Sequence, residues 1–205
     1  STIAHLVPRF YDPKKGHITI DGQDLRDVTL DSIRKAVGVV EQDTFLFTAS
    51  VEHNVAYGDP WAPDDRVESA SKHAQLGDYI DRLPGGYDTM VGERGVSLSG
   101  GQRQRLSIAR SIMLKPQLIV FDDSTAAIDA ATEQRIRAAL TELTKDRATI
   151  IISHRLSSLM HADEILFIEE GKIVERGSHE ELLTQGGHYN DLYELQIRPS
   201  EKWQQ

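Results

Sequence analysis

The apolar positions of this chain change period several times, and the changes mark out alternating helices and strands. Near the start, Ile3, Leu6, Val7 and Phe10 recur at i, i+3, i+4 and i+7. That is the spacing of an amphipathic helix, which Pro8 should cut short. Residues Gly16–Gly22 then alternate as a short strand running into a turn. A helix-like stretch, Leu30–Ala36, leads into the apolar strand Val37–Val40, which ends at Glu41-Gln42-Asp43. From Ser50 to Leu114 the punctuation is Pro60, Pro63, Pro84, Gly85 and Gly86, with few β-branched runs, and this predicts a helical subdomain. Inside it, Gln102–Leu114 forms a helix whose apolar side carries Leu106, Ala109 and Met113, with Ile108 and Ile112 beside them. Arg103, Arg105 and Arg110 take its more polar directions, so the stripe reads first as a packed core helix.

An α/β order then returns. Strand Leu118–Phe121, a helix over Ala130–Leu143 with Ile136, Ala139, Leu140 and Leu143 on one face, and strand Ala148–Ile152 make a βαβ crossover. Such a crossover implies parallel strands buried on both faces. Ile165–Ile168, a turn at Glu170-Gly171 and Ile173–Glu175 predict a hairpin, followed by short helices near His179–Thr184 and Tyr189–Gln196. The expected organisation is therefore a partial α/β core over 1–49, a helical subdomain over 50–114, a second core segment over 115–198 and a tail over 199–205.

Composition narrows the class. The 205 residues suffice for one ordinary α/β domain with a subdomain, and 39% hydrophobic with 27% charged residues is a globular balance. No apolar run approaches the roughly 20 residues that span a bilayer, and the opening Ser-Thr-Ile-Ala-His lacks the basic start of a secretory signal. The absence of cysteine excludes disulfides and thiolate metal sites and fits a reducing compartment. A net charge of −9 argues against a broad nucleic-acid-binding face, and the eight histidines show no metal-ligand spacing.

Candidate chemistry gathers where strands end. In parallel sheets, ligands bind outside the carboxyl ends of strands, and Gln42, Asp122-Asp123 and His154 each follow a predicted strand. Any one of them alone would read as a solvated loop residue; three from separated segments read as a site. Leu98-Ser99-Gly100-Gly101-Gln102 places a Ser-Gly-Gly loop before a helix. A helix N-terminus receives anions, and glycine lets a phosphate approach the backbone. By itself, a glycine-rich loop more often means only a tight turn.

Together these segments resemble the LSGGQ signature and Walker B motif of ATP-binding-cassette (ABC) ATPases, nearest to the nucleotide-binding domains of ABC exporters. The resemblance covers essentially the whole chain. It implies a P-loop NTPase (RecA-like) α/β fold, a mostly parallel sheet flanked by helices with an inserted α-helical subdomain. It also implies the substrate ATP, with Mg²⁺ as cofactor. Val39–Phe47 resembles the Q-loop, with Gln42 touching the metal and the attacking water. Gly92-Glu93-Arg94-Gly95 resembles the X-loop, with Glu93 and Arg94 sensing the coupling helices of a membrane domain. Asp122 takes the Walker B place, holding Mg²⁺ through water, and Asp123 that of the base or water-orienting group. Ala126-Ala127-Ile128-Asp129 resembles the D-loop at the dimer contact, and His154 matches the switch histidine that contacts the γ-phosphate. Gly171–Leu182 is similar to the usual exporter ending.

In this family two such domains sandwich two ATP molecules head-to-tail. Leu98, Ser99, Gly100, Gly101 and Gln102 would then cap the partner's ATP, with Ser99 bonded to its γ-phosphate. The partners implied are a second nucleotide-binding domain and transmembrane domains, with no nucleic acid, at the cytoplasmic face of a membrane.

Two departures qualify the resemblance. Asp123 stands where most active members carry Glu; its carboxylate is one methylene shorter, and small misplacements of a catalytic group can cost about 100-fold. This predicts a weakly hydrolysing site, as in one half of many heterodimeric exporters, against the plainer reading of a tolerated conservative swap. Ala126 points the same way. The second departure is at the start, where Ser1-Thr2 resembles the residues immediately after the Walker A lysine. Ser1 would be a Mg²⁺ ligand and Thr2 would lie near the α-phosphate. The Walker A glycines and lysine, the upstream strands and an adenine-stacking aromatic are absent from the sequence. The expectation is a fragment beginning inside Walker A that binds ATP poorly alone. Two other readings stay open: a soluble ABC ATPase acting on DNA or ribosomes, and a regulatory, essentially non-hydrolysing transporter subunit.

Overall fold

The computed structural model describes residues 2–41, 43–92, 96–123, 128, 130–143 and 147–197. They belong to two compact units, Ser1–Ile152 and Ser153–Gln205.

In the first unit, helix α1 (Thr2–Leu6) stops two residues before Pro8, and Arg9 turns to φ 55°. Phe10 therefore leaves the helical face. Ala4 and Val7 are the buried residues, while Ile3 and Phe10 are exposed, a correction to the stripe read from spacing. Strands β1 (Thr19–Ile20) and β2 (Gln23–Asp24) pair antiparallel across Asp21-Gly22. Both turn residues have positive φ, as a tight two-residue hairpin of this hand requires. Helix α2 (Leu30–Ala36) starts at Thr29, whose hydroxyl accepts from the Ser32 N–H, and runs directly into β3 (Val37–Val40).

The middle of the unit holds β4 (Ala49–Ser50), α3 (Val51–Val55), α4 (Asp64–His73), α5 (Gly77–Ile80), β5 (Met90–Val91) and α6 (Gly100–Met113). Strands β4 and β5 pair antiparallel. Then come β6 (Leu118–Asp122), α7 (Ala130–Leu143) and β7 (Ala148–Ile152). Strands β3, β6 and β7 form a parallel sheet with β6 in the centre.

Strand β6 is buried along its length because each face has its own core. Ile119 and Phe121 join Val40, Leu98, Leu106 and Ile108 in one cluster, while Leu118 and Val120 join Ala4, Val7, Ile33 and Val37 in the other. This is the period-2 alternation of a strand covered on both sides. Strand β7 departs from that expectation: it is half-exposed, with Ala148, Thr149 and Ile151 open, as suits its place at the end of the strand order. Helix α6 departs in the other direction. Gln104, Ser107 and Ser111 are buried along with its apolar residues, so it is enclosed on most sides rather than striped. The Ser111 hydroxyl donates to the Val39 carbonyl at 3.0 Å, which fastens the helix to β3.

The second unit contains α8 (Leu156–Leu159), β8 (Ile165–Glu169), β9 (Lys172–Gly177), α9 (His179–Gln185) and α10 (His188–Gln196). Strands β8 and β9 form the expected hairpin, turned by Glu170 and Gly171, both at positive φ. Leu156, Ile165, Leu182 and Tyr189 make its small core. Ser178 and Glu181 form a reciprocal cap at the start of α9. The Ser178 backbone N–H, bonded to the Glu181 carboxylate, holds that carboxylate below its ordinary pKa. Glu175 on β9 accepts from the N–H groups of His188 and Tyr189 at 2.5 and 3.0 Å, closing the start of α10. Among the described residues, no helix is long and apolar enough to cross a membrane.

Candidate nucleotide site

The signature loop is built from a buried anchor and an exposed cap. Leu98 is only 4% exposed and belongs to the larger core, so its side chain pins the loop from below. Ser99 comes next, in extended backbone, as the N-cap of α6. Its hydroxyl accepts from the Gln102 N–H at 3.3 Å, and its own N–H donates to Gln102 Oε1 at 2.7 Å. The two residues thus form a capping box, and the accepting role leaves the Ser99 O–H hydrogen able to donate outward. The N–H groups of Gly100 and Gly101 lie in the first turn, where a helix offers them no acceptor of its own. An anion placed there would meet two backbone donors, a hydroxyl donor and the positive end of a helix of 14 residues.

Arginines brace this loop. Arg103 donates to the Leu98 carbonyl at 2.7 Å, and Arg105 to the carbonyls of Gly101 at 3.3 Å and Gln75 at 2.6 Å. Further along α6, Arg110 donates to the Asn54 carbonyl and side-chain oxygen at 2.8 and 3.0 Å, and to the Phe45 carbonyl at 3.2 Å. Its guanidinium lies over the rings of Phe47 and Tyr57, and burial lowers its pKa. Asn54, fully buried, also accepts from the Phe47 N–H and donates to the carbonyls of Phe47 and Ser50, each at 3.0 Å. These long-range bonds correct the expectation that Arg105 and Arg110 merely take polar directions. Asn54 belongs to no motif, and among the polar residues of Val51-Glu52-His53-Asn54-Val55-Ala56 nothing in the sequence singles it out.

The second constellation lies at the carboxyl end of the sheet. Register pairs Asp122 with Ile152, so β6 and β7 end level, and Val40 with Phe121, so β3 ends one residue earlier. Asp122 is the last residue of β6 and only 6% exposed. Asp123 is half-buried, at φ 45°, with its N–H donating to the Ile152 carbonyl at 2.7 Å. Aspartate is one of the few residues that accept this left-handed backbone readily. Among the described residues, no three acidic or imidazole side chains gather into a metal cage. One buried carboxylate at a strand end still suits Mg²⁺, which usually takes one or two carboxylates and completes its shell with water and phosphate oxygens.

Of the other expected site residues, Thr2 is exposed at the first position of α1. His154 is exposed in the second unit, in the segment between β7 and α8. Ser1, Gln42, Glu93, Arg94, Ala126 and Asp129 lie outside the described residues.

A helix start with free donors, together with a buried carboxylate ending the central strand of a parallel sheet, suits a phosphate and a metal ion in an α/β domain. Comparison with known proteins carries this further. The family model described as ABC transporter matches residues 1–126. An uncharacterized ABC transporter ATP-binding protein of Bacillus subtilis, YknU, is 50% identical over 198 residues, 97% of this chain and 34% of that protein. A Staphylococcus aureus protein provisionally named a multidrug export ATP-binding/permease protein is 49% identical over 196 residues, covering 96% of this chain and 34% of its own length. Among solved structures, a bacterial Atm1-family ABC exporter with ATP bound superposes with a TM-score of 0.91 at 46% identity, covering 96% of this chain and 34% of that one. The chain belongs to the ABC transporter family of ATP-binding domains. It spans about a third of the length of these relatives.

Proposed function

We propose that this chain is the ATP-binding and ATP-hydrolysing domain that powers export of a substrate across a membrane. The observation that carries the reading is the start of α6, where Ser99 and two glycine N–H groups present donors at an exposed helix N-terminus. In the working assembly two such domains meet head-to-tail at the cytoplasmic face of the membrane. Leu98–Gln102 then closes over the ATP held by the partner domain. On this chain's own ATP, Asp122 and the residues Ser1 and Gln42 would hold Mg²⁺, which when bound neutralises phosphate charge. Thr2 lies beside the α-phosphate. Asp123 orients the attacking water and accepts its proton, and His154 contacts the γ-phosphate. Ala126 and Asp129 meet the partner domain, Glu93 and Arg94 meet the coupling helices of the transmembrane domains, and 50–114 acts as the helical subdomain between them.

The shorter reach of Asp123 supports a further refinement: this site hydrolyses weakly, and the partner domain is a different chain whose own site is the active one.

Two substitutions in the assembled transporter test these statements. Asp122→Asn should abolish ATP turnover at this site and leave the fold intact by circular dichroism; undiminished turnover there would overturn the functional reading. Asp123→Glu should raise turnover at the same site by roughly ten-fold or more, although the longer side chain tolerates φ 45° less well. No rise would sink the weak-site proposal and leave the first intact.

A further inference from the structure

The side-chain amide of Gln196, at the end of α10, is bonded at both of its ends to the segment that carries His154. Its Nε2 donates to the His154 carbonyl at 3.0 Å, and its Oε1 accepts from the Leu156 N–H at 3.1 Å. From within the segment, the Ser153 hydroxyl accepts from the Arg155 N–H at 3.0 Å. Two successive peptide units are therefore held. The unit joining residues 154 and 155 is bonded through both its carbonyl and its N–H, and the next through its N–H. A primary amide offers a donor and an acceptor side by side in one plane at neutral pH, as this grip requires.

The plainer explanation is that Gln196 caps α8. Leu156 opens that helix and its N–H is one of the orphan donors of the first turn. Capping requires only the acceptor half of the amide. The donor half goes to the His154 carbonyl, which lies before the helix begins, and capping does not account for it. The imidazole itself is exposed and projects from backbone fastened on this side.

We propose that Gln196 is a positioning residue for His154, fixing the backbone from which the imidazole reaches the γ-phosphate; this rests on the role assigned to His154 above. Gln196 is itself exposed, so its replacement removes two hydrogen bonds without opening a cavity. In the assembled transporter, Gln196→Leu should lower kcat for ATP hydrolysis about ten-fold, within the cost of a misplaced catalytic group, with KM for ATP changed less than about two-fold. Gln196→Glu keeps the bond from Leu156 but sets a carboxylate oxygen against the His154 carbonyl, so its kcat should fall at least as far. Added to His154→Ala, Gln196→Leu should produce no further loss.

The outcomes separate cleanly. If His154→Ala retains full turnover, the reading of His154 fails and the positioning role goes with it. If His154→Ala abolishes turnover but Gln196→Leu does not reduce it, only the positioning role fails. Wild-type kcat in Gln196→Glu would reduce Gln196 to a helix cap. An undiminished effect of Gln196→Leu in the His154→Ala background, or failure of both Gln196 variants to fold, would make its role structural and overturn the proposal.

Discussion

Ser99 caps α6, and the proposed function gives it a second job whose demands on chemistry diverge from the first, a divergence that can be measured. As an N-cap it supplies an oxygen to the Gln102 N–H; as the proposed phosphate ligand it would supply a hydrogen. Ser99→Ala loses both. The lost cap costs about 1 kcal/mol, which in a domain of this size lowers Tm by roughly 2–4 °C. Ser99→Asp keeps the cap, since aspartate caps as well as serine, and adds a carboxylate at the helix start worth about 0.3–1 kcal/mol. Thermal stability should therefore fall in the order Asp at or above Ser, then Ala. Activity should take another order. A carboxylate facing a γ-phosphate at about 4 Å is opposed by roughly 4 kcal/mol at a surface-like effective dielectric constant, close to a thousand-fold in rate. Turnover by the assembled transporter should thus run Ser, then Ala, then Asp far below. Differential scanning calorimetry and a phosphate-release assay on the same preparations give both orders. Should Asp hydrolyse as fast as Ala, or turnover simply track stability, Ser99 is a cap and nothing more.

Asn54→Ala should destabilise the first unit by about 3 kcal/mol, because it removes a fully buried amide and strips partners from Arg110 and from the half-buried Phe47 N–H together. Urea unfolding with an unchanged m-value checks this, and a cost under about 1 kcal/mol would show that the network is incidental. The pH dependence of stability should carry a signature of Asp24, whose pKa the side-chain hydrogen bonds from Arg26 lower to about 2 from the ordinary 3.8. The folded state then binds fewer protons than the unfolded one between these values, so the pair's contribution is full above the unfolded pKa and lost as pH falls toward 2. The difference in urea midpoint between wild type and Asp24→Asn should accordingly shrink from about pH 5 to about pH 2; a constant difference would refute the assignment.

Periodicity is a good guide wherever neighbours in sequence decide the outcome. Helices over Leu30–Ala36 and Ala130–Leu143, strands over Val37–Val40 and Ala148–Ile152, and the hairpin turn at Glu170-Gly171 all appear where local pattern places them. It fails where a single backbone event intervenes: the left-handed turn at Arg9 exposes Phe10, which spacing alone buries. The site divides the same way. Ser99, Gly100, Gly101 and Asp122 are legible because a short motif carries its own geometry. The residues that hold those groups are not, since Arg105 reaches Gln75, Arg110 reaches Phe45 and Gln196 reaches His154 across long stretches of chain. A polar side chain whose partner is a distant carbonyl leaves no periodic trace.

Helix α6 is walled in by core along its flanks, with a capped end facing outward and an arginine gripping a loop near the other. At about 1.5 Å per residue it is a rod roughly 20 Å long, and close-packed surroundings leave such a rod little freedom to bend. Ser99 at one end and Arg110, bonded to the Phe45 carbonyl, toward the other are thus set on a single stiff element. Mechanically, the helix is a strut, and the loop after β3 is fastened to its far end.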